Sequence, residues 1–561
     1  MHPSSLLFLS ICFGISILST HAQPSTKPNM IILLSDDHGW GDFSPPLGNS
    51  PAQTPNLNAM ATSVNAAHFP RFYSGGPVCS PTRATILTGR TNTRDCIINV
   101  EQLSLPLQLQ GSTIADYATN GGYSTFFAGK WHLGSMSNDT TSLTCYDPAQ
   151  TNHTCLPGYV GIENRTKCCD GRDASLPRRT PLDFGFQTVF GTSEVAPSST
   201  SNCGCLMTVS GAGEGCNMGH YTHNHTPVYL PGLECDSTWY TTPSGTWEPY
   251  LQVTDVDDAQ MLVNRLESFI LESIQNQKPF LAQVSFHQVH IPYIAPPEFR
   301  ALYSNYTENE QDYYGAITAM DAQVGRIRNL LQNLGIANNT IITFAADNGP
   351  EVNTGDHECG YFVNPGSTNG LQGRKRALLE GGLRVGGIIE APFLVQGNGP
   401  YVLDHYVAST FDYLPTFMQL INASKLHPDW PLDGISLVPA LSGQATVRPS
   451  PAGWLSDFAL EDANATCPGG AARLPPGVNN FTAVAQQSQV SWVDGPLKLV
   501  GCVNPQKNWY FRLFNVESDP AETNDLFDSN QAKVTSMYND LQVWQASVLN
   551  SRQVETMCSS Q

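Results

Sequence analysis

Charge is scarce along this chain, and positive charge is scarcest. Of 561 residues only 14% are charged, with 28 Lys and Arg against 48 Asp and Glu, for a formal net charge of −20. So few cations cannot neutralise a run of phosphates, which excludes a nucleic-acid partner. Long apolar runs are also missing beyond the N-terminus. After Leu6–Leu18 no segment holds the ~20 uninterrupted apolar residues of a membrane helix, so no membrane span is expected. No fixed-period repeat occurs. What is present is apolar bulk: 40% hydrophobic residues, enough for a large core and too many for wholesale disorder. This length suits two to four domains, or one large α/β core with a smaller appendage.

The apolar stretch Leu6–Leu18 is followed by Thr20-His21-Ala22, a small-x-small site that places a cut near Gln23. Residues 1–22 therefore read as a secretory signal, although no Lys or Arg precedes the apolar stretch. Cysteine usage agrees with an oxidising compartment, since ten of the 15 Cys fall between Cys79 and Cys235. Nine Asn-x-Ser/Thr sequons, at Asn138, Asn152, Asn164, Asn224, Asn305, Asn338, Asn422, Asn464 and Asn480, point to a glycosylated surface.

Short apolar runs at Met30 to Ser35, Ser124 to Ala128, Phe280 to Phe286 and Thr340 to Ala345 predict buried parallel strands. Apolar residues at helix spacing between Ala259 and Ile274, and between Ala316 and Leu331, predict helices between them. Alternation of this kind implies an α/β sheet with helices on both faces. From Asn138 to Trp247 the chain is rich in Cys, Gly, Thr and Ser and reads as a disulfide-stapled insertion. Beyond Gly443 it turns loop-rich. Strand-like pieces then follow at Gln489 to Trp492, Leu497 to Val500 and Trp509 to Phe514, with a last helix near Lys533 to Leu549. The expected organisation is a catalytic domain over 23–443 and a smaller α+β domain over 444–561.

Polar clusters end the predicted strands: Ser35-Asp36-Asp37, Lys130-Trp131-His132, His287 with His290, and Asp347-Asn348. Open α/β sheets collect ligands at that edge, because loops converge there while the strands stay rigid. Adjacent buried carboxylates repel unless a cation or proton neutralises them. Asp36, Asp37, Asp347 and Asn348 form an all-oxygen set suited to Ca²⁺ or Mg²⁺, although each pair alone also suits a helix cap or turn. Cys79, beside Arg83 and ahead of a helix-like run, suits a low-pKa thiolate and equally a disulfide half, with Cys96 as a possible mate.

The run Cys79-Ser80-Pro81-Thr82-Arg83, continued as Ala84 to Arg90, resembles the signature of the sulfatase family, in which Cys-x-Pro-x-Arg directs conversion of the Cys to formylglycine. Ser35 to Asp42 is similar to that family's first metal motif, Gly129 to Gly134 to its second catalytic motif, and His290-Ile291-Pro292 to its His-x-Pro element. Asp347-Asn348-Gly349 resembles the second metal motif, Gly373 to Arg376 with Glu380 to Arg384 the late lysine motif, and Asn515 to Leu526 the C-terminal strand and turn. The late motifs look closest to arylsulfatases of the N-acetylgalactosamine-4-sulfatase kind. Thr82 stands where many relatives carry Ser.

The resemblance implies an alkaline-phosphatase-like fold with a large mixed sheet. It also implies a calcium ion on Asp36, Asp37, residue 79, Asp347 and Asn348, and a hydrated aldehyde at residue 79 that attacks sulfur. Arg83 would steady the diol and the carboxylates, and Lys130 and Lys375 would grip sulfate oxygens. His290 would protonate the leaving alcohol, with Lys130 able to share that role, and His132 would take the proton that lets sulfate leave. His38 is a candidate pocket residue, His287 a supporting or packing one, and Arg374, Arg376 and Arg384 are ion-pair or rim residues. The implied partners are a sulfated small molecule or glycan and, during maturation, a formylglycine-generating enzyme. The implied destination is secretion or the lysosome. A two-metal phosphoesterase and an inactive glycan-binding protein on the same fold are the rival functions.

Overall fold

Asn29–Ser35 is buried over its whole length and forms β1, the middle of the main sheet. This computed structural model describes residues 27–100, 105–134, 160–161, 165–166, 179–192, 238–241, 247–249, 258–290, 293, 295–352, 364–428, 430–462, 465–481 and 487–554. The sheet's other strands are β2 (Ala66–His68), β3 (Ser124–Lys130), β4 (Thr188–Thr192), β5 (Thr238–Thr241), β6 (Trp247–Pro249), β7 (Phe280–Ser285), β8 (Thr340–Ala346), β9 (Ile388–Glu390) and β10 (Tyr401–Val402). Their order is β10-β2-β9-β8-β1-β7-β3-β4-β5-β6. The centre, β8-β1-β7-β3-β4, is parallel. Antiparallel pairings at β8–β9, β9–β2, β4–β5 and β5–β6 make the sheet mixed.

The four strands expected from the sequence are the neighbours β8, β1, β7 and β3. Side chains alternate across a strand, and both faces of β1 are apolar. Met30, Ile32 and Leu34 join one core together with Ala84, Ile86 and Leu87 of helix α1 (Cys79–Thr88). Ile31 and Leu33 join the other, with Leu262, Leu266 and Ile270 of α2 (Asp258–Gln275) and Met320, Val324 and Ile327 of α3 (Glu308–Asn333).

Two expectations need correction. Thr188–Thr192 falls inside the expected insertion, yet it is β4 of the main sheet, with Val189 and Phe190 buried. Its single alternating turn of five residues gave too weak a period to stand out among the surrounding Gly and Ser. The Cys-rich stretches on either side of it, and the expected signal over 1–22, lie outside the described residues. Ala452–Ser456 falls in a stretch expected to be loop, yet it is the strand β11. It opens a four-stranded antiparallel sheet completed by β12 (Gln489–Asp494), β13 (Leu497–Val503) and β14 (Trp509–Asn515). Helix α4 (Gln531–Val554) packs Val534, Met537 and Leu541 against Leu499 and Leu513 of this sheet. A disulfide joins Cys467 to Cys502 in β13.

Candidate active site

The parallel register sets Ser35 beside Ala346 at the C-terminal ends of β1 and β8, so the next residues of both strands meet. Asp36, Asp37, Asp347 and Asn348 are all buried there. The Asp37 N–H donates to Asp347 Oδ1 (3.1 Å) and Asn348 Nδ2 donates to Asp37 Oδ1 (2.7 Å). Asn348 Oδ1 is left buried with no hydrogen-bond partner. That orphaned acceptor, next to three carboxylates, is what a hard cation would satisfy.

Helix α1 begins at Cys79 after an extended Val78 and aims its first turn at these carboxylates. Cys79 Sγ lies 3.5 Å from Asp36 Oδ1 and 4.0 Å from Asp37 Oδ1. One donor atom from each of Asp36, Asp37, Cys79 and Asp347 falls within 4.8 Å of the others. Thr82 Oγ1 both donates to Gly76 O and accepts from Gly76 N, each at 2.9 Å, so the hydroxyl at this position fixes the loop ahead of Cys79. Ser would serve the same purpose. Cys79 is a free cysteine, and Cys96 is bonded to another residue, so the disulfide alternative fails. Nor does this setting favour a low-pKa thiolate. Burial, reinforced by Asp347 and Asp36, pushes the Cys79 thiol well above its usual range.

Three cations surround the carboxylates. Arg83 bridges Asp347 Oδ2 (2.7 Å) and Asp36 Oδ2 (3.2 Å) through Nη2 and donates to the Lys130 carbonyl (2.7 Å) through Nη1. Lys130 Nζ sits 2.7 Å from Asp36 Oδ2 and 3.6 Å from Cys79 Sγ. Its position depends on Gly129, whose φ is +96° and where an added Cβ would lie 1.8 Å from the Ser285 carbonyl of the adjacent strand. Lys375 Nζ is 2.8 Å from Asp37 Oδ2 and 3.2 Å from Glu351 Oε2.

Burial alone would raise the Asp36 carboxyl, but Lys130, His290, Arg83 and Lys375 hold it well below the usual range. Asp347 is lifted to about 6 by burial and by Asp36, with Arg83 opposing. His290 Nε2 stands 3.8 Å from Asp37 Oδ2; burial and the Lys130 ammonium hold its imidazole down to about 4. Ile291 and Pro292, which follow it, lie outside the described residues. His132, at φ +55°, is anchored by Ser80 Oγ donating to its carbonyl (2.6 Å), and its Nδ1 is buried without a partner. Burial, then Lys130 and Arg83, keep it neutral well below the ordinary imidazole range.

All ten sequence-derived site residues thus converge on one strand edge. His38 does not join them. It turns inward to pack at a tilt against Phe43 (ring centroids 4.7 Å apart), and burial lowers it to about 4. Arg376 pairs with Glu351, Arg384 with Glu380 (3.5 Å), and Arg374 donates to the carbonyls of Glu351 and Gly366. Sequence reasoning passed over Glu351, the partner of Lys375. Its place directly after Asp347-Asn348-Gly349-Pro350 at a strand end was the available signal.

A family model described as Sulfatase matches residues 28–423. The N-acetylgalactosamine-6-sulfatase of Rattus norvegicus is 26% identical over 460 residues, covering 79% of this chain and 71% of that protein. The steryl-sulfatase of Homo sapiens is 26% identical over 440 residues, covering 76% and 71%. In structure, the PsFucS1 sulfatase from Pseudoalteromonas sp. superposes with a TM-score of 0.59 at 19% identity, covering 93% of this chain and 91% of that one.

Proposed function

The chain belongs to the sulfatase family and is a sulfuric ester hydrolase, and from there we propose that it cleaves aryl or saccharide sulfate monoesters with calcium and a formylglycine made from Cys79. The observation that carries this is the juxtaposition of residue 79 with three carboxylates and three cations inside one buried cluster. Three carboxylates facing three cations nearly cancel. A divalent ion would leave two positive charges in excess, enough to receive an anionic ester and its developing charge.

Asp36, Asp37, Asp347 and Asn348 are the oxygen donors that would hold calcium, and the bound ion supplies Lewis-acid polarisation of a sulfate oxygen. Formylglycine at residue 79 supplies, once hydrated, a hydroxyl nucleophile that a buried thiol with a raised pKa does not. The remaining work belongs to the chain's own side chains. Arg83 fixes Asp36 and Asp347 relative to the first turn of α1, so the nucleophile and the carboxylates keep one geometry. Lys130 and Lys375 exchange part of their carboxylate pairing for sulfate oxygens and stabilise charge as the S–O bond breaks. His290 gives a proton to the departing alcohol oxygen; an anionic ester beside it favours its charged form. His132, held neutral by burial and two cations, accepts a proton at residue 79.

The exposed sequon residues Asn305, Asn338, Asn422 and Asn480 support passage through the secretory pathway, to the exterior or the lysosome. Among the described residues no helix is long and apolar enough to cross a membrane. The test is turnover of an aryl sulfate against the matching aryl phosphate, with and without chelator. Sulfate hydrolysis that dominates and is lost to chelator is the expected result; equal or faster phosphate turnover overturns it.

A further inference from the structure

One buried, hydrogen-bonded His–Asp pair lies outside the carboxylate–cation cluster and touches it through the backbone. His287, 1% exposed, and Asp258, fully buried as the first residue of α2, meet at 2.7 Å through Nδ1 and Oδ2. The second Asp258 oxygen accepts from Gln288 Nε2. The far ring nitrogen of His287, Nε2, lies 2.8 Å from Thr192 Oγ1. Thr192 ends β4 directly beside Lys130 of β3, and its carbonyl accepts from Trp131 N at 3.0 Å. A pair so deeply buried is costly to desolvate, and an apolar pair would pack there at less expense. What the hydrogen-bonded pair adds is direction.

The backbone of the same segment turns the other way, toward the catalytic edge. Asp36 N donates to Gln288 O (2.7 Å), Val289 N donates to Asp36 O (2.5 Å), and His290 N donates to His287 O (2.8 Å). Side chains 287 and 288 therefore grip Asp258, while backbone groups of 288 and 289 grip Asp36 and the carbonyl of 287 sets the start of residue 290. We propose that Asp258 and His287 are positioning residues, which act through this segment to hold the His290 imidazole where it can protonate the leaving alcohol. The inference rests on the reading of His290 as the proton donor, and the experiment separates the two.

The full-length enzyme and its Asp258→Asn, His287→Ala, Thr192→Val and His290→Ala variants are compared for kcat/KM on two esters. One is 4-nitrophenyl sulfate, whose leaving group needs no proton; the other is an unactivated alkyl sulfate, whose leaving group does. Loss of a general acid costs about a hundredfold or more where protonation is required. His290→Ala should therefore lose at least that on the alkyl ester and far less on the nitrophenyl ester. Asp258→Asn and His287→Ala should show the same selective loss, smaller in size, with KM nearly unchanged. Thr192→Val keeps the side-chain shape and removes only the hydroxyl, so it should fold and show the weakest form of the pattern. A general structural role would slow both esters alike. If His290→Ala is selective while the other three variants slow both esters equally or neither, the positioning role is overturned and the His290 reading stands. If His290→Ala itself shows no selectivity, the proton-donor reading fails and the positioning role falls with it.

Discussion

Arg83 has no exposed surface and reaches three strand ends at once, through Asp36, Asp347 and the Lys130 carbonyl. A planar guanidinium holds its donors in a fixed fork that spans these acceptors; a lysine ammonium has three donors but concentrates them on one nitrogen at the end of a flexible stem. Arg83→Lys keeps the charge but should leave at least one of these buried acceptors without its donor, costing about 2 kcal/mol of stability in urea unfolding, and should abolish most sulfate turnover. A loss within about 0.5 kcal/mol, the range of ordinary surface changes, would contradict this role. At this scale much of the cluster was legible, because polar residues that follow an apolar run at a strand end are a local signal. Asp36, Lys130, His290 and Asp347 carry it. Glu351, Ser80 and Asp258 were not, since their partners Lys375, His132 and His287 become neighbours only on folding. His38 misled for the opposite reason: it adjoins Asp37 in sequence, but its ring points into the core.

The loop that carries Lys375 is held from both sides. Lys375 N donates to Pro350 O (2.9 Å) on the strand-end side, while Gln489 of β12 accepts from Leu378 N and donates to Arg376 O, both at 2.9 Å. Behind the loop, Lys498 of β13 is fully buried between Glu380 (2.8 Å) and Glu522 (3.2 Å). Arg384 also pairs with Glu380 (3.5 Å), so Lys498 is the cation that Glu522 shares with an already paired neighbour. Burial lifts Glu522 to about 7, with Lys498 opposing and Glu380 adding to the rise. A carboxyl whose folded value exceeds its unfolded value near 4.5 favours folding in its neutral form. That contribution is complete below the unfolded value and is lost as pH rises through about 7. Glu522→Gln removes the charge and keeps an acceptor for the Glu380 N–H. Its melting temperature should therefore decline less steeply than the wild type's between about pH 5 and pH 8. Parallel pH profiles of melting temperature would show that Glu522 stays ionised. The motifs holding Glu380 and Glu522 could be seen in the sequence, but their meeting at Lys498 could not, because the three residues lie far apart along the chain.

Across the whole molecule, a chain with a formal net charge of −20 places Arg83, Lys130 and Lys375 inside a single buried cluster, where an anion would otherwise be repelled. The central sheet was legible because β1, β3, β7 and β8 are apolar on both faces and long enough to register as runs. The short strands on one side were not: β2, β9 and β10 have two or three residues each, too few to show a period, and depend on neighbours for their shape. The fold brings residue 79 to the end of that sheet as a thiol that burial pushes well above its usual range, and the proposed function requires its conversion to an aldehyde during maturation. The most direct measurement is the mass spectrum of the tryptic peptide Phe72–Arg83 from active protein made in a host that carries out that conversion. The expected spectrum shows the formylglycine mass at residue 79, in proportion to the specific activity for aryl sulfate. An unmodified Cys79 throughout fully active enzyme would contradict the central claim.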